Sequence, residues 1–183
     1  VTFDMTKNTM EIHEKKAEPW KITLIDTGEM SQTGGRLKRV ESYLANEDIF
    51  CFTYGDGLAD VDVSSLITLH RKSGKLATVT AVQPPGRFGS LQLEGGKVTA
   101  FVEKPHGDGG FINGGFFVLS TEVLNLISGD QANFERDILK NLAEENELAA
   151  YEHNGFWRPM DTLRDKTQLE DLWNAGNAPW KIW

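Results

Sequence analysis

The chain has 183 residues, 39% of them hydrophobic and 25% charged, with a formal net charge of −8. That length suits one ordinary domain with a sizeable core, and the composition excludes wholesale disorder. An acidic balance without an extended basic block excludes the electrostatic footprint of nucleic-acid binding, and no apolar run approaches the roughly 20 residues that span a bilayer, so a cytoplasmic protein with no nucleic-acid and no membrane partner is expected.

In chain order, Val1 stands without an initiator Met, and Met10-Glu11-Ile12-His13 already alternates like a strand, so the sequence reads as the front of a fragment. Trp20 to Asp26 (WKITLID) predicts a strand. Gln32-Thr33-Gly34-Gly35-Arg36 opens a helix expected over Arg36 to Leu44, with Leu37, Val40 and Leu44 at helical spacing. Free backbone N–H groups at such a start favour an anion or the edge of a base, and Arg36 has the geometry to grip phosphate with two N–H groups. The cluster has neither P-loop nor dinucleotide-fingerprint spacing, so alone it is a weak signal.

Asp48 to Tyr54 is apolar without alternation, the pattern of a strand covered on both faces in a parallel sheet. The single Cys51 lies inside it and reads as a buried structural thiol. The strand runs into FTYGDGLADVD, which holds Asp56, Asp60 and Asp62. In open α/β sheets ligands gather outside the carboxyl ends of strands, which singles out Asp56; Gly55 and Gly57 would let a ligand approach the main chain. A strand-ending turn with a solvated aspartate is the plain alternative. Asp60-Val61-Asp62 forms the Asp-x-Asp triplet of a metal-dependent glycosyltransferase, but it immediately precedes a predicted helix, Ser64 to Lys72, where acids cap free N–H groups. Gly74 falls where that helix needs a left-handed cap.

Ala77 to Val82 predicts a buried strand. Leu91 to Leu93 and Lys97 to Glu103, joined by Glu94-Gly95-Gly96, predict a hairpin. Glu103-Lys104-Pro105 then sets an acceptor beside a cation, suited to a sugar hydroxyl and a phosphate, or to a plain exposed charge pair. Asn113-Gly114-Gly115 interrupts a strand expected over Ile112 to Leu119, as a bulge or a close backbone approach would. Short and amphipathic helices follow at Thr121 to Ile127 and Phe134 to Glu145, then a strand at Leu148 to His153 and a last helix at Thr162 to Trp173. Asp161 is most simply the acidic start of that helix. The four histidines have no partners at ligand spacing and no Gly-x-Ser-x-Gly appears, so neither a zinc site nor a serine hydrolase is supported. The alternation predicts a layered α/β domain with an inserted β-hairpin.

Thr33-Gly34-Gly35-Arg36, Gly55-Asp56-Gly57, Glu103-Lys104-Pro105, Asn113-Gly114-Gly115 and Asp161, in that order, resemble the sugar-phosphate nucleotidyltransferase family. The phrases DTGEMSQTGGRLKRV, FTYGDGLADVD, PPGRFGSL, VEKPHGDGGFINGGFFVL and GFWRPMDTLRDK extend the likeness over nearly the whole chain, and resemble the members that work on CTP and α-D-glucose 1-phosphate. The resemblance implies a single domain over residues 1–183 with a Rossmann-like layered mixed sheet flanked by helices and an inserted hairpin. It implies CDP-glucose and pyrophosphate as products, destined for O-antigen dideoxyhexoses of bacterial surface polysaccharide, and a homo-oligomer.

By the same resemblance Asp56 and Asp161 hold Mg²⁺, and Lys104 grips the sugar phosphate. Glu103 binds sugar hydroxyls, and Gly89, Asn113 and Gly114 line the sugar pocket. Thr33, Gly35, Arg36 and Gly55 meet the nucleotide. The family's opening strand, its Gly-Gly-x-Gly-Thr-Arg loop and its Pro-Lys-Pro phrase do not occur in this sequence. The expectation is therefore an N-terminally truncated chain carrying half of the active site and impaired by itself. The alternatives are the same transfer from UTP or dTTP, a glycosyltransferase built on Asp60 and Asp62, and a non-catalytic sugar-nucleotide binding module.

Overall fold

The computed structural model describes residues 2–13, 20–84, 90–103 and 110–182. Its centre is a four-stranded mixed sheet in the order β3 (Ile49–Thr53), β8 (Ile112–Ser120), β5 (Ala77–Val82), β9 (Leu148–His153). β3 and β5 both run antiparallel to β8, while β5 and β9 run parallel. Three further two-stranded ladders complete the strands of the described residues: β1 (Thr2–Asp4) with β2 (Thr9–Glu11), β4 (Gly57–Ala59) with β10 (Trp157–Pro159), and the hairpin β6 (Ser90–Glu94) with β7 (Lys97–Val102). No helix among the described residues is long and apolar enough to cross a membrane.

β8 explains the layering. Successive side chains of a strand point to opposite faces, and on β8 both faces are dry. Phe117 and Leu119 enter a cluster with Leu37, Val123, Phe134 and Leu142, whereas Val118 enters a second one with Val61 and Leu66. The first cluster is closed by α1 (Thr33–Arg39), a 3-10 turn over Thr121–Leu126 and a π-helical segment over Phe134–Leu139 that continues into α4 (Lys140–Glu144). The second is closed by α3 (Val63–Ser73). The wider π turn carries Phe134, Ile138 and Leu139 inward together.

Several expectations are corrected. Trp20 to Asp26 is neither strand nor helix: Trp20, Ile22 and Leu24 are exposed, and none pairs with a strand among the described residues, leaving the segment without the ladder bonds that would define it. The helix expected over Arg36 to Leu44 breaks at Val40 into α1 and α2 (Glu41–Leu44). β3 is antiparallel to its one described neighbour rather than an inner parallel strand, and its burial is incomplete; Cys51 is exposed rather than buried. α3 keeps both predicted ends, with the Asp62 carboxylate accepting from the Ser65 N–H and Gly74 closing the helix at φ +63°. The last helix, α5 (Leu163–Asn174), starts after Thr162, which forms a reciprocal capping box with Asp165.

Candidate functional site

The three-residue ladder of β4 and β10 is what assembles the site. Gly57 stands opposite Pro159, Leu58 opposite Arg158 and Ala59 opposite Trp157. Beyond one end of the ladder the Met160 N–H donates to the Asp56 carbonyl at 2.7 Å, and beyond the other the Asp60 N–H donates to the Phe156 carbonyl at 3.2 Å. Asp56 and Asp161, about a hundred residues apart in sequence, thereby come to neighbouring backbone positions at the carboxyl end of β3. Both are exposed, as is Gly55, where nothing lies within 4 Å of the place a Cβ would take. Among the described residues no three His, Cys, Asp or Glu side chains group as a metal cage. Two exposed carboxylates are hard oxygen donors, the kind that suits an ion keeping water and phosphate oxygens in its shell.

The wall beside this corner is built by β8. Gly115, at φ +77°, packs its backbone against the Tyr54 ring; a Cβ here would meet Tyr54 Cδ2 at 2.8 Å, so both the conformation and the space require glycine. The Gly115 N–H donates to Asn113 Oδ1 at 2.8 Å and the Trp157 Nε1–H donates to the Gly114 carbonyl at 2.8 Å. Trp157 thus ties the β4–β10 ladder to the glycine interruption of β8.

α1 sits on the far side. Thr33, its first residue, accepts from the Phe134 N–H at 2.9 Å and donates its hydroxyl to Glu135 Oε2 at 2.8 Å. The other oxygen of Glu135 accepts from the Tyr54 hydroxyl, and Asn113 Nδ2 donates to that hydroxyl at 3.2 Å. Burial, and then the hydrogen bond to Glu135, push the Tyr54 phenol well above its ordinary range, so it stays a neutral donor. One connected path runs from Thr33 through Glu135 and Tyr54 to Asn113.

The amides at the head of α1 are less open than the sequence suggests. The Gln32 and Gly35 N–H groups donate to the Asp130 and Ala132 carbonyls at 2.8 and 3.2 Å. Gly35 lies so close to this turn that a Cβ would come within 2.2 Å of the Asp130 carbonyl oxygen. Arg36 is likewise engaged, donating to Thr27 Oγ1 at 2.9 Å and to the Glu29 carbonyl at 3.0 Å. Glu103 follows β7 at the exposed end of the hairpin. Lys104 and Gly89 lie outside the described residues.

The two acids of the Asp-x-Asp triplet part company. Asp62 accepts from the Ser65 N–H at 3.0 Å and from its hydroxyl at 2.7 Å, and these bonds hold its carboxyl below the usual range. Asp60 turns to His153, Oδ1 to Nε2 3.0 Å; the same nitrogen lies 3.1 Å from the Phe156 carbonyl, which takes the better-aligned hydrogen bond. Asp62 is thus spent on capping α3, while Asp60 lies against His153.

Sequence reasoning missed Tyr54, Glu135 and Trp157. Tyr54 lies next to the quoted Gly55-Asp56-Gly57, but its partner Glu135 is 81 positions away, and no periodicity reports such a pairing. Trp157 stands in the quoted phrase GFWRPMDTLRDK, although only its contact with Gly114 gives it a task.

Comparison with known proteins gives a consistent result. The profile of the family described as Nucleotidyl transferase matches residues 2–178. The chain is 56% identical over all 183 residues to glucose-1-phosphate cytidylyltransferase from Salmonella typhi, covering 71% of that protein, and equally similar to glucose-1-phosphate cytidylyltransferase from Salmonella typhimurium. Among solved structures, HddC from Yersinia pseudotuberculosis superposes with a TM-score of 0.56 at 23% identity, covering 76% of this chain and 61% of that one. The chain therefore spans less than two thirds of that structure, and the likeness speaks to the fold alone.

Proposed function

Because the chain belongs to the Nucleotidyl transferase family, we propose that it serves the transfer of a cytidylyl group from CTP to α-D-glucose 1-phosphate, giving CDP-glucose and pyrophosphate. The observation that carries this reading is the 56% identity, unbroken over all 183 residues, to two proteins of that name. In the reaction a phosphate oxygen of the sugar 1-phosphate forms a bond to the α-phosphorus of CTP while the bond to the β-phosphate oxygen breaks, and the electron pair leaves with pyrophosphate. The attacking oxygen is already ionised, so no side chain need act as covalent nucleophile or general base. The protein's work is to bring two anions together and to neutralise charge.

Asp56 and Asp161 are the carboxylates that would hold Mg²⁺, whose chemistry is to withdraw charge from the phosphate oxygens. Their common strand-end corner, the openness at Gly55 and the hard-oxygen donor set support that role. Lys104 would meet the sugar phosphate and Glu103 the sugar hydroxyls, with Gly89, Asn113 and Gly114 as the pocket wall. Thr33, Gly35, Arg36 and Gly55 belong to the nucleotide side. A bacterial homo-oligomer working in the cytoplasm for surface polysaccharide synthesis completes the proposal.

The test is pyrophosphate release by the natural full-length protein from glucose 1-phosphate with CTP, UTP and dTTP in parallel. CTP is expected to give the highest kcat/KM, and faster turnover with UTP or dTTP would overturn the cytidylyl assignment.

A further inference from the structure

Glu135 belongs to none of the motifs that point to the site, yet it joins Thr33 to Tyr54, which in turn holds Asn113. Its two carboxylate oxygens are divided between Thr33 and Tyr54. The direction of each bond can be fixed from chemistry. An ionised carboxylate only accepts, so both hydroxyls must donate to it. Tyr54 has then spent its proton on Glu135 and can only accept from Asn113, which is what Asn113 Nδ2 supplies. That leaves Asn113 Oδ1 to receive the Gly115 N–H, which it does at 2.8 Å. Thr33, likewise committed as donor, takes the Phe134 N–H on its oxygen. The charge on one carboxylate therefore sets the orientation of a hydroxyl at the head of α1 and of an amide on β8.

We propose that Glu135 is a positioning residue shared by the two substrate subsites, holding Thr33 for the nucleotide and, through Tyr54, Asn113 for the sugar phosphate. This rests on the nucleotidyl-transfer reading above and adds to it a division of labour that the two arms of the path make testable. The arms are unequal in length: Thr33 hangs directly on Glu135, Asn113 only through Tyr54. The π-helical turn beginning at Phe134 holds Glu135 at the meeting point, and such turns recur at functional sites. Around Tyr54 the rings of Phe52 and Phe117 stand edge-on at 5.8 and 5.7 Å, so loss of the hydroxyl alone leaves the ring's packing in place.

The experiment is steady-state kinetics of the natural full-length protein and its Glu135→Gln, Tyr54→Phe and Thr33→Val variants, varying each substrate in turn, with thermal melting alongside. Tyr54→Phe is expected to raise KM for the sugar phosphate about tenfold and leave KM for the nucleotide alone, Thr33→Val the reverse, and Glu135→Gln to raise both. Adding Tyr54→Phe to Glu135→Gln should give no further loss on the sugar side, since the arm is already cut. Equal changes in both KM values for all three variants, unchanged KM values, or losses in kcat that merely follow melting temperature would overturn the proposal. If Glu135→Gln does not fold, Glu135→Asp, which keeps the charge on a side chain one methylene shorter, takes its place and must raise both KM values, unchanged values again overturning the proposal. The unmodified protein, run first with the three triphosphates, reports separately on the reaction: failure there removes the nucleotidyl-transfer reading, whereas failure of the KM pattern in an active protein removes only the role of Glu135.

Discussion

Asp56 and Asp62 stand six positions apart with the same functional group, and their surroundings separate them. Asp62 is engaged by the amide and hydroxyl of Ser65, whereas Asp56 stands exposed at the ladder's open end with its carbonyl bonded to Met160. Under the proposed metal-holding role, Asp56→Asn is expected to lower kcat at least about a hundredfold with little change in melting temperature, since it removes a carboxylate charge and no folding contact. Asp62→Ala should do the opposite, lowering the melting temperature while sparing kcat, as loss of a helix cap does. A kinetic and calorimetric comparison of the two variants checks both statements.

His70 provides a second prediction at this scale. It is buried on α3 with Nδ1 2.9 Å from the Thr78 hydroxyl, and burial first, then the neighbouring Arg71 charge, hold its pKa below the ordinary value. The unfolded chain therefore binds the proton more readily than the folded one, near pH 6.5. The stability this contributes is complete above that pH and is lost as pH falls toward the depressed folded value. Urea unfolding should show stability declining from pH 7 to pH 5. His70→Gln should flatten that part of the profile.

Among the elements, α1 and the β4–β10 ladder carry the site, and each has a residue whose replacement reports on it. Gly35→Ala would drive a methyl group into the Asp130 carbonyl, 2.2 Å away, and is expected to destabilise the protein by about 1–3 kcal/mol in denaturant unfolding. Trp157→Phe keeps a ring but loses the hydrogen bond to Gly114, leaving a half-covered carbonyl without its donor; a loss of about 1 kcal/mol is expected in the same measurement.

These elements also show what can be read in a sequence. The α3 helix was legible to its ends because its cap, its apolar spacing and Gly74 are all local signals. β5, β8 and β9 were legible as strands, but composition does not report direction, so β3, an apolar run, was expected to be parallel and is antiparallel to β8. The β4–β10 ladder was not legible at all, being three residues long with partners about a hundred positions apart. Trp20 to Asp26 failed for the opposite reason: its composition is that of a strand, yet a strand exists only where a neighbour accepts its hydrogen bonds. Asp56 could be chosen from strand-end geometry, whereas Asp161 entered only through family likeness, because its place is set by that same illegible ladder.

For the whole molecule, β8 is the shared wall of both apolar clusters, with Phe117 and Leu119 on one side and Val118 on the other. Damage to one cluster must be felt by the other through this strand, so the four-stranded sheet and its helices should unfold as one cooperative unit. Phe117→Ala is expected to lower stability by about 3–5 kcal/mol and to shift tryptophan fluorescence and far-ultraviolet circular dichroism to the same lower denaturant midpoint. Two separated transitions would show that the layers are independent.

The β4–β10 ladder has a further consequence during synthesis. A chain emerging from the ribosome delivers Asp56 early, but β10 follows about a hundred residues later, after every strand of the central sheet has been made. Closing so long a loop is entropically unfavourable until the sheet has already drawn its ends together. The acidic corner therefore cannot exist on a nascent or half-folded chain: it is a late product of folding, and a polypeptide that has assembled it has by then completed the core beneath it.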